Sequence, residues 1–181
     1  MSAGFTRTRE GGARLVMDPD ETAVIRTLIG QLLDLIGEPA ESAGSAGYEG
    51  LPDFTLSDNT SVPDDPVLAR LFPDAYREDQ DASADFRRYT ETGLREGKRA
   101  AAEVVLQTLG GGGNVVIDAD QAQAWLRTLN DLRLALGTRL DITEDTLEKM
   151  PDFDWGDPRN AGYAAYDWLT YLQESLVHAI W

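Results

Sequence analysis

Apolar residues alternate with polar ones near the start of the chain and then recur at helical spacing along most of it. In residues 5–17, FTRTREGGARLVM, the alternation runs on either side of Gly11-Gly12, which is the pattern of a β-hairpin. Val24, Ile25, Leu28, Ile29, Leu32, Leu33 and Ile36 then form a broad stripe with helical period. Asp18 is placed to cap that helix, Pro19 suits its first position and Glu21 completes a capping box. Gly37 stands where a left-handed residue ends a helix.

Residues 37–63 break the pattern. Small, acidic and turn-forming residues dominate, which predicts a flexible acidic loop over about 38–63, least ordered near 38–50. Asp65-Pro66 opens a short helical turn anchored by Leu68, Leu71 and Phe72 and closed by Pro73. Phe86, Tyr89, Leu94, Ala101, Val104, Val105 and Leu109 predict a long helix over 83–109. Gly93 and Gly97 inside it each cost about 1 kcal/mol relative to alanine, so they imply a break or a close approach by another backbone. The glycines at 110–113 follow a helix and precede a strand. That order suits a turn and not a phosphate-cradling loop, which follows a strand and opens a helix.

Asn114-Val115-Val116-Ile117 reads as a strand that joins the N-terminal hairpin. Asp118, with Gln121 three places on, caps the next helix, 119–136, and Gly137 is placed to end it. Its second half is apolar nearly all round, the mark of a central helix. Residues 141–160 read as an acidic loop with a turn at 143–149, and 161–181 as the last helix. The predicted fold class is α+β, mostly α. A helical bundle carries a small antiparallel sheet made of the hairpin and the strand near 114–117, in a single domain spanning 1–181.

Composition narrows the chemistry. The 181 residues contain no cysteine, which removes disulfides, thiolate nucleophiles and thiolate metal sites. One histidine, His178, leaves no partner for a histidine metal site and reads as a helix-end cation. No Gly-x-Ser-x-Gly elbow is present. The acidic groups Asp79, Asp81, Asp85 and Asp152, Asp154, Asp157 lack the late bidentate glutamate of a calcium loop and read as solvated loops and caps. No metal, cofactor or catalytic residue is predicted. The absence of a basic start followed by an apolar run, and of any membrane-length segment, predicts a cytoplasmic protein.

Charge points to contact with other macromolecules. With 16 basic against 32 acidic residues the net charge is −16, which repels nucleic acid and anionic membranes as a whole. The basic residues cluster near Arg7, Arg9 and Arg14 and again at Arg87, Arg88, Arg95, Lys98 and Arg99. They form either a solvated helix face with i,i+4 pairs or an anion- or partner-binding patch, for which Arg87, Arg88 and Arg95 are the candidates. Trp168, Tyr171 and Trp181 widen the apolar face of the last helix, so that helix is either wholly internal or shared with a partner or a second copy in a homodimer. Asn130 and Arg133, i,i+3 neighbours on an otherwise apolar helix, need partners if buried. Asp167 and Glu174 on the last helix are the candidates for such structural pins.

QAQAWLRTLNDLRLALGTRL (121–140) and YDWLTYLQESLVHAI (166–180), together with RLFPDAYRED (70–79) and QLLDLIGE (31–38), resemble an actinobacterial family of oxidative-stress transcriptional regulators (AosR-like), formerly catalogued as a domain of unknown function. The resemblance covers most of the chain outside the loop at 38–63. It implies a role in controlling redox-response genes. The family is associated with a cysteine pair as sensor, and this chain has none. The resemblance therefore implies a shared fold and a shared regulatory partner, not a shared sensor. The expected function is a non-catalytic regulator that docks on a basic DNA-binding protein of the transcription machinery, such as a sigma factor. The alternatives are direct DNA binding through the arginine clusters and a metal-dependent protein using the acidic loops.

Overall fold

The N-terminal alternation folds into β1 (Thr6–Arg7) and β2 (Ala13–Val16), paired antiparallel with Thr6 opposite Arg14. β3 (Asn114–Ile117) pairs antiparallel with β2, with Leu15 opposite Val115, and the strand order is β1-β2-β3. These elements come from a computed structural model, which describes residues 4–37, 63–74, 80–110, 113–149, 157 and 160–181. One face of the sheet buries Ala13, Leu15, Val115 and Ile117, while Arg14, Val16, Asn114 and Val116 point outward. Two glycines make this pairing possible. A Cβ on Gly12 would stand 2.1 Å from the Ile117 carbonyl oxygen, and one on Gly113 would stand 2.2 Å from that of Met17. Gly113 also has φ +68°, a conformation that L side chains rarely adopt.

α1 (Pro19–Ile36) starts at the Asp18 capping box, in which the Asp18 carboxylate accepts from the Glu21 amide and Glu21 accepts from the Asp18 amide. It buries Ile25, Ile29, Leu32 and Ile36. α2 (Pro66–Leu71) is capped by Asp65, which accepts from the amides of Val67 at 2.8 Å and Leu68 at 3.3 Å. α3 runs Gln80–Thr108 and α4 Ala119–Arg139, the latter behind a second complete capping box at Asp118 and Gln121. α5 is the single turn-and-a-half Glu144–Lys149, and α6 is Ala161–Ile180.

α4 lies at the centre, as its all-round apolarity predicts, and packs against α6, α3 and α2. Trp125 on α4 is fully buried, meets Phe5 edge-on at 5.3 Å, and donates its indole N–H to Thr108 Oγ1 at 2.8 Å. Leu129, Leu169, Leu172 and Leu176 fill the α4–α6 interface. Each such side chain contributes about 1.5–3 kcal/mol by leaving water, so helix packing holds this fold more than the short sheet does.

Three boundary and packing expectations are corrected. α4 runs through Gly137 to Arg139, because Tyr166 of α6 lies across Gly137 and a Cβ there would stand 3.2 Å from its ring. The small residue serves close packing, and the left-handed position falls on Asp141 at φ 50°. α3 is continuous through Gly93 and Gly97, and among the described residues a Cβ at either meets nothing within 4 Å, so they mark neither a break nor a close approach by a described residue. The turn expected at 143–149 is helical from Glu144. The flexible loop expected over 38–63 lies, but for Pro63, outside the described residues, as do Asp79, Asp152 and Asp154.

Candidate functional site

The second arginine cluster is spent on the fold. Arg87 is 5% exposed and donates to Asp74 at 2.8 Å, to Glu91 at 3.0 Å and to the Phe72 carbonyl at 3.1 Å. Burial disfavours its charge, yet the bonds to Asp74 and Glu91 outweigh that and hold the guanidinium pKa above its ordinary value. Glu91, equally buried, bridges on to Arg95 at 2.8 Å. Arg95 donates to the Ile36 carbonyl and stacks over the Phe72 ring at 4.6 Å, and Arg99 donates to the Gly37 carbonyl at 2.7 Å. Two guanidinium groups of α3 thus satisfy carbonyls at the C-terminal end of α1, where the helix dipole favours cations. Arg87 and Arg95, the partner-binding candidates, thus form a clamp that ties α3 to α1 and to the residues after α2. The Arg88 side chain lies outside the described residues.

The polar pins also differ from expectation. Arg133 donates to Thr170 Oγ1 at 2.9 Å and Gln173 Oε1 at 2.8 Å and lies over the Tyr166 ring at 5.4 Å. Its partners on α6 are these neutral groups, while Asp167 and Glu174 are exposed. Asn130 is exposed too, and its neighbour Asp131 is a buried carboxylate, paired with Lys98 at 2.7 Å. Burial pushes the Asp131 carboxyl up, and the Lys98 ammonium recovers only part of that shift. Sequence reasoning missed Asp131, although it lies three residues after buried Thr128, on the face that turns toward α3.

On α6, Trp168, an interface candidate, is buried in the core of the chain itself. Tyr171 is 47% exposed, but its hydroxyl accepts from the Gly4 amide at 3.0 Å and helps seat the N-terminus, with Ser175 Oγ accepting from Phe5. Trp181 is 86% exposed. Tyr171 and Trp181 are ten positions apart and about 80° apart around the helix, so with Trp168 turned inward they do not form one seam. His178, exposed in the last turn, sits with Nδ1 2.8 Å from the Glu174 carbonyl oxygen, in keeping with the helix-end reading. Among the described residues no group of three or more His, Asp or Glu side chains could hold a metal ion.

A concavity that sequence reasoning did not single out lies between α1, α2 and α4. Among the described residues it is an open groove of about 480 Å³. Buried Leu32, Val67 and Leu132 form its floor, and half-buried Leu28, Leu35 and Leu136 its walls. Gln31, Asp34 and Arg139 stand exposed at its rim, and Arg139 is paired with Asp65 at 3.1 Å. The signal was the width of the α1 stripe. Ile25, Ile29, Leu32 and Ile36 suffice for the core, and Val24, Leu28 and Leu35 each precede one of them, forming a second stripe about 100° away.

Comparison with known proteins extends the picture. A family model described as "Domain of unknown function (DUF2017)" matches residues 1–180. A protein of Mycobacterium bovis called "Oxidative stress regulator AosR" is 34% identical over 185 residues, covering 94% of this chain and 83% of that protein. A Mycobacterium tuberculosis protein of the same name matches with the same figures. A Mycobacterium leprae relative is 34% identical over 181 residues, 92% of this chain and 82% of its own length. No solved structure matches the chain.

Proposed function

The chain belongs to the DUF2017 family, and from that premise we propose that it is a non-catalytic regulator of the oxidative-stress response that acts by binding a protein of the transcription machinery. The observation that carries this reading is the kinship, over nearly the whole length, with proteins named oxidative stress regulators. With no cysteine, this chain has no thiol with which to sense an oxidant itself. A net charge of −16 favours encounter with a basic, DNA-binding partner such as a sigma factor and disfavours DNA itself. The engagement of Arg87 and Arg95 within the fold further weakens the DNA-binding alternative.

Surface plasmon resonance against purified actinobacterial RNA polymerase core, holoenzyme and individual sigma factors tests this. Binding that weakens as salt rises is the expected result. No binding to any of them at low salt would overturn it. A gel-shift series with promoter DNA at low ionic strength is expected to show no complex, and a steeply salt-dependent shift would favour the direct DNA-binding reading instead.

A further inference from the structure

We infer that the α1–α2–α4 groove is the docking site for a basic amphipathic helix of a protein partner. This rests on the reading that the chain works through protein contacts and gives it a place. The groove wall from Leu28 to Leu35 spans seven residues of α1, about 10 Å or two helical turns. A helix lying along it presents apolar side chains at i, i+3 or i+4, and i+7, the spacing by which helices are read in grooves. The floor is fully apolar and, among the described residues, the groove is open on one side, so an occupant needs one apolar face and one solvated face.

Charge selects the occupant. Exposed Asp34 stands on the α1 rim, and exposed Asp64 lies just outside the lining, two residues before α2. The cation lining the groove, Arg139, is already engaged by Asp65. The rim therefore favours lysine and arginine flanking the apolar face of the incoming helix. A second copy of this chain would instead bring −16 against −16 and acidic rim against acidic rim.

The test uses the full chain and two fluorescein-labelled probes of about 18 residues, one of leucine and lysine at amphipathic helical spacing, one of leucine and glutamate. The Leu/Lys peptide is expected to bind, shifting the methyl resonances of Leu28, Leu35, Val67, Leu132 and Leu136, while the Leu/Glu peptide does not. Ala135→Trp, which fills the groove from α4, is expected to weaken binding about tenfold or more. Asp34→Asn, an exposed rim change that does not threaten folding, is expected to weaken it several-fold and reduce its salt dependence. Methyl shifts elsewhere only, equal binding of both peptides, self-association through these methyls, or methyls already covered by another part of the chain would each overturn the inference. Sigma-factor or polymerase binding that persists unchanged in Ala135→Trp would overturn the groove while leaving the proposed function standing. Peptide binding in the groove without any polymerase component binding would do the reverse.

Discussion

Glu91→Gln offers the sharpest test of the claim that the α3 arginines belong to the fold. Both oxygens of Glu91 are in use, Oε2 by Arg87 at 3.0 Å and Oε1 by Arg95 at 3.0 and 2.8 Å. Glutamine keeps the shape but removes the charge and turns one acceptor into a donor that faces a guanidinium. Removing one partner of a buried ion pair costs about 3–5 kcal/mol. The low end applies, because Arg87 retains Asp74 and the Phe72 carbonyl. With a urea dependence of about 1–3 kcal/mol/M, a loss of about 3 kcal/mol lowers the midpoint by about 1 M or more. The transition can be followed by tryptophan fluorescence, since Trp125 is fully buried. The double variant Arg87→Met with Glu91→Met is expected to cost less than the sum of its parts, because Asp74 and Arg95 are open enough to water to stay solvated. A Glu91→Gln unfolding free energy within about 0.5 kcal/mol of the parent would show that the cluster does not hold the fold and would return these arginines to the partner-binding reading.

Two further predictions concern glycine and pH. Gly93→Ala and Gly97→Ala are each expected to stabilise the chain by up to about 1 kcal/mol, since a Cβ there meets open space, whereas Gly12→Ala is expected to destabilise it by driving a Cβ into the Ile117 carbonyl; urea midpoints give all three signs. Because burial holds the Asp131 carboxyl above its ordinary value, the folded chain keeps that proton to higher pH than the unfolded chain, and the stability due to Asp131 falls as pH rises from the ordinary carboxylate range through the raised value. Comparing the pH dependence of the midpoint in the parent and in Asp131→Asn isolates this slope, and parallel curves would refute it.

The elements that could be read in the sequence are those whose cause is local. Both capping boxes, at Asp18 and Asp118, are four-residue patterns with their own hydrogen bonds, and both are present. The hairpin follows from alternation and turn residues alone, and the alternation of 114–117 marks a strand that the open edge of that hairpin can accept. What was missed depends on contacts distant along the chain. Gly137 looks like a helix stop until Tyr166 is seen lying on it. Arg133 has charged candidates on α6, and which residues of α6 it meets is set by the rotation of one helix against the other, so it finds Thr170 and Gln173. The groove has the same origin. The second stripe on α1 was visible as extra width, but only the placement of α2 and α4 decides whether such width is buried or left open as a concavity.

The clamp and the groove meet at α2, and this makes local stability there informative. Six residues are too few for a helix to persist on its own, so α2 depends on what holds its ends. At its start, Asp65 caps it and is tied to Arg139 of α4; just past its end, the Phe72 carbonyl is held by Arg87 and the Phe72 ring is covered by Arg95. Val67 then joins the groove floor and Leu71 the core. Weakening the clamp should therefore loosen α2 before α4, which is held on several sides. In Glu91→Gln, the amides of Ala69 and Phe72, which bond to the carbonyls of Asp65 and Leu68, are expected to exchange with solvent faster by a larger factor than the amides in the middle of α4. Exchange that accelerates equally in both helices would mean that α2 opens only with the whole fold. Selective loosening would mean that the α3 arginines, without touching a partner, decide how well the groove floor is formed at Val67.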